Sequence, residues 1–202
     1  MINYLIIAAT VIVSLMAFKD PVLFNKLKFN AYQIKHGKES WRFFSYALIH
    51  AGWGHLLVNM FVLWSFGDIV ESFLKSTFGI KGALYYLILY VSGVLFSTMM
   101  DFRKYKNNYY YNAVGASGAV SAVVFASILI HPEGSIFVFP IPIPIASWLF
   151  GILYLVYSAY MAKRGADNIG HTAHFWGALV GIIFMGLFVP EIFGHFIGYF
   201  LN

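Results

Sequence analysis

Apolar residues occupy six long stretches of this chain, and charged residues lie almost entirely between them. The uncharged stretches are residues 1–18, 43–67, 82–100, 107–130, 135–162 and 169–190. A helix that crosses the hydrocarbon core of a bilayer needs about 20 mostly apolar residues. Each stretch can supply one such helix, so the pattern predicts an all-α, polytopic membrane protein with six transmembrane helices.

Prolines and polar runs set approximate limits for the six spans. Pro21 opposes continuation of the first span, and Pro140, Pro142 and Pro144 favour an extended entry into the fifth. The first stretch lacks the basic start and cleavage site of a signal peptide, so we expect a retained span. We predict a single domain over residues 1–202. Its spans cover about residues 4–18, 53–74, 82–100, 115–130, 145–161 and 171–189.

Composition agrees with this class of protein and excludes others. Charged residues make up 10% of the chain, against about 25% in soluble domains. The chain has no cysteine, which excludes disulfides and cysteine-based catalysis or metal binding. The net charge of +5 suits contact with anionic membrane lipids, and no separate basic domain points to nucleic acid.

The connecting segments differ strongly in charge. Residues 19–52 combine basic side chains with Phe, Leu, Tyr and Trp, which favours an interfacial loop in the headgroup region. Alternation of six spans places residues 19–52, 101–114 and 163–170 on one side, and these hold 11 of the 13 Lys and Arg. The positive-inside rule would turn this side toward the cytoplasm.

A serine near the start of the fourth span is the main candidate for chemistry. Ser117 stands among Gly115, Ala116 and Gly118, in a span too short to cross about 30 Å of hydrocarbon. If the span reaches the opposite surface, Ser117 lies at the floor of a wet pocket. A serine hydroxyl needs a base, usually histidine, and His174 begins the sixth span toward the same side.

Small residues offer a way to bring the two spans together. They follow Ser117 and His174 at helical intervals: Gly118, Ala122 and Ala126 on the fourth span, Gly177 and Gly181 on the sixth. Stripes of this kind let membrane helices approach closely. We expect the two stripes to meet and to carry Ser117 and His174 to hydrogen-bond distance.

Acyl transfer also needs donors aimed at the developing oxyanion. His55 and Asn59 lie four residues apart on the second span and so share one face. Both side chains can donate a hydrogen bond, as can the backbone N–H of Ser117. Asp167 falls in a loop before His174, so we favour a dyad over a triad.

Other interpretations stay open at this point. A lone serine in a membrane helix serves packing about four times in five. A metalloprotease would need metal ligands such as H-E-x-x-H, which the sequence lacks. A transporter would show duplicated halves and broken helices. A non-catalytic protein that binds transmembrane clients is also compatible with the sequence.

Taken together, the motifs resemble the rhomboid family of intramembrane serine proteases over nearly the full chain. "GASG" matches the family nucleophile at Ser117, "AHFWGALVG" the base at His174, and "HLLVN" the oxyanion-hole side chains His55 and Asn59. The remaining matches are a Trp-Arg signature at Trp41 and Arg42 and a structural carboxylate at Glu71. Trp41 as an interfacial anchor and Arg42 as a lipid-phosphate ligand are alternatives for these two residues.

The resemblance implies a fold and an activity. The fold is a six-helix bundle around a short fourth helix, and the activity is endopeptidase cleavage of transmembrane substrates by a Ser-His dyad, without cofactor or metal. It also implies the plasma membrane of a bacterium and a site that opens to the extracytoplasmic side. One position departs from the pattern: some members carry an aromatic ring one turn after the nucleophile, where this chain has Ser121.

Overall fold

A computed structural model describes residues 1–138, 143–165 and 169–201. Helices dominate this part of the chain. Their bounds are α1 Ile2–Lys19, α2 Pro21–Leu27, α3 Ala31–His36, α4 Arg42–Ser45, α5 Trp53–Phe78, α6 Gly82–Ser97, α7 Met99–Tyr105, α8 Ser117–Ile130, α9 Ser147–Arg164, α10 His171–Phe188 and α11 Glu191–Leu201. Short 3₁₀ turns cover Tyr46–Leu48 and Gly79–Lys81.

Three helical stretches among the described residues are long and apolar enough to cross a membrane. They are Ile2–Lys19, the nearly continuous stretch Trp53–Tyr105, and His171–Phe188. The stretch Trp53–Tyr105 contains α5 and α6, which reverse direction at Gly79, where φ is +58° and a side chain would be strained. The prediction of a helical membrane protein is confirmed.

The helix bounds differ by a few residues from the approximate spans that hydropathy predicts. The second span continues to Phe78, the third ends at Ser97, the fourth begins at Ser117, and the fifth runs from Ser147 to Arg164. A further helix, α11, forms from the apolar tail that the sequence left without an element. These differences arise because hydropathy marks the apolar run, whereas turns and tertiary contacts decide where helical hydrogen bonding stops.

The expectation of an all-α chain is also incomplete. Strands β1 (Ser135–Phe137) and β2 (Pro144–Ala146) form a short antiparallel ribbon between α8 and α9. The three prolines before the fifth span predicted an extended segment there, and Pro144 indeed lies in strand β2. Pro140 and Pro142 lie outside the described residues.

Helix α8 is the centre of the packing. Every residue from Gly118 to Ile130 is buried, and Ser117 is the only residue of the helix with partial exposure. Helices α5, α6, α9 and α10 all contact it. The sequence of α8 permits this because small residues alternate with Val and Ile, so neighbouring backbones come close. On α6, a Cβ added to Gly93 would lie 2.8 Å from the Cα of Ala119.

The interfacial segment 19–52 folds into short, capped helices. The side chain of Asp20 accepts hydrogen bonds from Val22 and Leu23, and that of Asn30 accepts one from Gln33. Such caps satisfy backbone N–H groups at helix starts. They give the segment defined structure, as the mixture of basic and aromatic residues suggested.

Helix α1 is tied to α5 by a buried carboxylate. Glu71, fully buried in α5, accepts hydrogen bonds from the backbone N–H groups of Ile2 (3.0 Å) and Asn3 (2.9 Å) and forms an ion pair with Lys75. The Asn3 side chain continues the contact by donating to the Leu63 carbonyl at 3.2 Å. A buried charge is tolerated here because it is both paired and hydrogen-bonded.

Candidate active site

Ser117 stands at the first position of α8, at the end of an irregular segment that the interfacial loop holds in place. Residues Phe29 and Ala113 exchange two backbone hydrogen bonds, of 2.9 and 3.1 Å. The N–H of Gly115 donates to the Tyr46 carbonyl at 2.9 Å. The approach to Ser117 is therefore fixed by contacts from residues far away in sequence.

His50 makes the last of these contacts. It is fully buried, and its Nε2 lies 3.4 Å from the backbone N of Ala116, which precedes Ser117. Because the amide donates, Nε2 is the unprotonated nitrogen, and Nδ1–H donates to the Ser14 hydroxyl at 3.0 Å. That hydroxyl in turn donates to the Leu48 carbonyl. The sequence suggests only a polar residue near the pocket at His50, because it is the fold that brings His50 to Ala116.

The two stripes of small residues lie face to face. A Cβ added to Gly177 on α10 would lie 2.7 Å from the carbonyl carbon of Gly118 and closer still to its oxygen. One turn further on, a Cβ on Gly181 would meet the backbone of Ala122 in the same way. Backbone therefore touches backbone between α8 and α10, as small residues at this spacing permit.

This contact brings the neighbourhoods of Ser117 and His174 together. Gly118 follows Ser117, and a Cβ on Gly118 would lie 3.3 Å from the carbonyl oxygen of Ala173, the residue before His174. Both side chains are half-buried at the same end of the bundle. The ring of His171, one turn before, stands edge-on to that of His174 at 5.9 Å. The arrangement supplies a hydroxyl and an imidazole on adjoining helix ends.

His55 and Asn59 line the same end from α5. Gly115 has a φ of +110°, and a Cβ there would collide with the His55 ring. Glycine is needed at this position for both reasons. Asn59 is buried, and its side-chain amide donates to the His55 carbonyl at 2.8 Å. His55 thus lies against the segment that leads into Ser117, with Asn59 one turn deeper.

Ser121 and Tyr154 form a contact that no pattern along the chain predicts. Tyr154 on α9 stacks beside His174, with ring centroids 6.1 Å apart and planes inclined by 28°. Its hydroxyl lies 2.6 Å from that of Ser121, one turn after Ser117. The one sequence feature that hinted at this contact is Ser121 itself, which stands where some rhomboids carry an aromatic side chain. Nothing along the chain related it to a tyrosine 33 residues away.

The remaining candidates serve the scaffold around the site. Arg42 is buried, forms an ion pair with Glu39 and donates to the carbonyls of Asn25 and Lys28 at 2.9 and 2.8 Å. These contacts occupy the guanidinium with protein groups, in place of the lipid phosphate considered from the sequence. Trp41 is 47% exposed, consistent with an interfacial side chain. Asp167 lies outside the described residues.

No group of three or more His, Cys, Asp or Glu side chains with metal-binding geometry occurs within residues 1–138, 143–165 and 169–201. The site offers hydroxyl, imidazole and amide groups set in a helical bundle. This combination of fold and site defines a helical, multi-pass membrane protein with a polar site at one end of its bundle. Comparison with known proteins names its family.

The Rhomboid domain profile matches residues 37–191, and the chain therefore belongs to the rhomboid family. It is 29% identical to the RHOMBOID-like protein 12, mitochondrial, of Arabidopsis thaliana, over 68% of this chain and 43% of that protein. It is 26% identical to the Rhomboid protein 1, mitochondrial, of Saccharomyces cerevisiae, over 68% of this chain and 39% of that protein.

A third relative is the Presenilin-associated rhomboid-like protein A, mitochondrial, of Danio rerio. The identity is 30%, over 65% of this chain and 33% of that protein. The chain thus spans between a third and a half of the length of these curated relatives.

The expected localisation was wrong. The sequence resemblance suggested a bacterial plasma membrane with an extracytoplasmic opening, whereas these three relatives are mitochondrial by name. The multi-pass character itself stands. The expectation rested on family resemblance, and the apolar spans themselves require only a bilayer of suitable thickness.

Proposed function

We propose that this protein is an intramembrane serine endopeptidase that acts through a Ser117–His174 dyad. The observation that carries the proposal is the backbone contact between α8 and α10, in which Gly118 meets both Gly177 and the carbonyl of Ala173. It holds the half-buried ends of two helices together, with the candidate nucleophile on one and the candidate base on the other. Membership of the rhomboid family supports the same activity.

On this proposal the chain forms one domain of six transmembrane helices, which are α1, α5, α6, α8, α9 and α10. Helix α8 has 14 residues, which is about 21 Å, against about 30 Å of hydrocarbon. Its buried C-terminal end and half-exposed start support a position of Ser117 below one membrane surface. Water needed for hydrolysis enters there, and the apolar helices around it keep lipid away.

The chemistry follows from the groups present. His174 removes the Ser117 proton, and Oγ attacks the carbonyl carbon of the scissile peptide bond. The oxyanion is held by the Ser117 N–H with the side chains of His55 and Asn59. His174 then donates the proton to the leaving amine, and water hydrolyses the acyl-enzyme by the reverse sequence of transfers.

Substrates on this proposal are membrane proteins whose transmembrane helix unwinds locally. A continuous helix protects its peptide bonds by hydrogen bonding, which is strongest in lipid. Small or helix-destabilising residues near the cut lower the cost of exposing one bond. Membrane lipids are the other partners, and the reaction requires no cofactor, metal or nucleic acid.

The test is cleavage of a panel of transmembrane peptides by purified protein in liposomes. Ser117→Ala and His174→Ala should each lower turnover by at least about a thousandfold, while Ser127→Ala, a buried serine of the same helix, should leave it unchanged. Wild-type protein should be labelled by a serine-reactive phosphonate, and Ser117→Ala should not. Turnover that persists in Ser117→Ala contradicts the mechanism. Wild-type protein that binds the peptides without labelling or cleavage would indicate the client-binding alternative.

A further inference from the structure

Tyr154 occupies the space between the candidate base and the nucleophile's helix. Its ring lies 6.1 Å from that of His174 in a stacked orientation, within the range of favourable aromatic pairs. Phe125 on α8 and Phe150 on α9 contact the same ring at 5.7 and 5.6 Å. The Tyr154 ring is therefore packed on several sides, and it presents a fixed surface to the imidazole of His174.

A hydrogen-bond chain connects this tyrosine to Ser117. The hydroxyl of Ser121 donates to the carbonyl oxygen of Ser117 at 2.8 Å. Since Ser121 has a single hydroxyl proton, the 2.6 Å contact with Tyr154 requires the phenol to donate. Ser121 is 4% exposed, so water competes little for these bonds. The chain runs from the phenol through Ser121 to the backbone of the nucleophile.

We propose that Tyr154 is a positioning residue for His174, and that Ser121 fixes Tyr154 by accepting a hydrogen bond from its phenol hydroxyl. The proposal rests on the dyad function above. A base must present one ring nitrogen to the serine, and a stacked neighbour limits rotation of the imidazole about its side-chain bonds. The ring that some rhomboids carry one turn after the nucleophile is thus supplied here from α9, with Ser121 as its anchor.

The experiment compares the rate of phosphonate labelling at Ser117 and peptide turnover among three single variants and the double variant of Tyr154→Phe with Ser121→Ala. Tyr154→Ala removes the ring and should lower both rates about ten- to a hundredfold, with kcat rather than KM affected. Tyr154→Phe keeps the ring and should lose only about threefold. Ser121→Ala should match Tyr154→Phe, and the double variant should lose no more than either single one, because both changes break the same bond.

Two further variants separate positioning from general packing. Tyr160→Ala removes a tyrosine of the same helix that is 58% exposed and should leave the rates unchanged. Ser121→Tyr combined with Tyr154→Ala moves the ring to the α8 position and should recover at least part of the loss. Equal rates in Tyr154→Ala and wild type would overturn the proposal, as would Tyr154→Phe falling as far as Tyr154→Ala.

A measurement that does not depend on activity distinguishes this proposal from the dyad function. NMR of isotope-labelled histidine, with His174 assigned from His174→Gln, should show one ordered imidazole conformer in wild type and exchange broadening in Tyr154→Ala. An unchanged, ordered His174 in Tyr154→Ala contradicts the positioning role. If wild-type protein neither labels nor cleaves, the proposed function fails, and this comparison still decides what Tyr154 does.

Discussion

At the scale of single residues, His50 shows how a buried imidazole can hold the segment that leads into the candidate site. Burial, with the nearby His55 ring at 4.9 Å as a second cause, lowers the pKa of His50 from 6.5 to about 3. Its neutral form accepts the N–H of Ala116 and donates to Ser14. A proton on Nε2 would remove the acceptor and leave a buried charge, so the fold favours the neutral ring.

We predict that His50 makes the folded state sensitive to acid. The pKa of His50 is lower in the folded than in the unfolded state. Below pH 6.5 the imidazole therefore becomes protonated in the unfolded chain, whereas in the folded chain it stays neutral down to about pH 3. The free energy of unfolding should thus fall between these limits, by about 2 kcal/mol at pH 5 relative to pH 8. Denaturant unfolding in detergent micelles should show a smaller pH dependence for His50→Gln.

The matched control for this prediction is His36→Gln, which changes an exposed histidine at the end of α3. It should keep the pH dependence of wild type. A pH dependence in His50→Gln equal to that of wild type would show that the imidazole is not responsible.

At the scale of helices, α8 and α10 contact each other directly through their backbones. Glycine at positions 177 and 181 lets α10 lie directly against the backbone of α8. In lipid, close packing and weak backbone contacts stabilise helix pairs more than hydrophobic burial does. The relative placement of Ser117 and His174 therefore depends on the absence of two methyl groups.

Gly177→Ala should separate the two helices. The added Cβ would meet backbone atoms of Gly118, which cannot rotate away as a side chain could. We expect a loss of about 1–3 kcal/mol in stability and a drop in peptide cleavage of at least about tenfold. Thermal unfolding and turnover, measured on one preparation, test both effects.

Gly194→Ala is the control for this helix contact, since nothing lies within 4 Å of a Cβ at that position on α11. It should preserve both stability and cleavage. Wild-type activity in Gly177→Ala would mean that the glycine contact does not set the active geometry.

At the scale of the whole molecule, the basic segments gather on the side that carries the site. Lys35 of the interfacial segment bonds with Asn107 at 2.7 Å, and Asn30 donates to the carbonyl of Tyr109 at 2.9 Å. These contacts place segments 19–52 and 101–114 together, as the alternation of spans predicts. The turn at residues 79–81 belongs to the opposite surface on this arrangement.

The absence of cysteine from the chain allows a direct test of this topology. In sealed vesicles, Lys26→Cys and Tyr110→Cys should react with a membrane-impermeant maleimide from one side, and Ile80→Cys from the other. Tyr110 and Ile80 are 87% and 97% exposed, so access to the reagent is not limited by packing. Labelling of all three positions from the same side would contradict the arrangement of spans.

The sequence by itself determined the membrane class, the approximate positions of the long apolar helices and the candidate residues Ser117, His174, His55 and Asn59. Apolar run length is a local property, and glycine spacing on a helix is fixed by its period, so both can be read along the chain. The helical spacing of small residues also predicted that Gly177 lies at the contact between the fourth and sixth spans. The family followed from the motifs those residues form, and the Rhomboid domain match confirms it.

Only the tertiary structure decided the contacts between distant segments. His50 meets Ala116 across 66 positions, and Tyr154 meets Ser121 across 33. A single histidine or tyrosine has no periodic pattern that could point to such a partner. The same holds for two other features. One is the ribbon of β1 and β2, and the other is the pair of hydrogen bonds from Arg42 to the carbonyls of Asn25 and Lys28. Their bonds form between groups that only the packed bundle brings together.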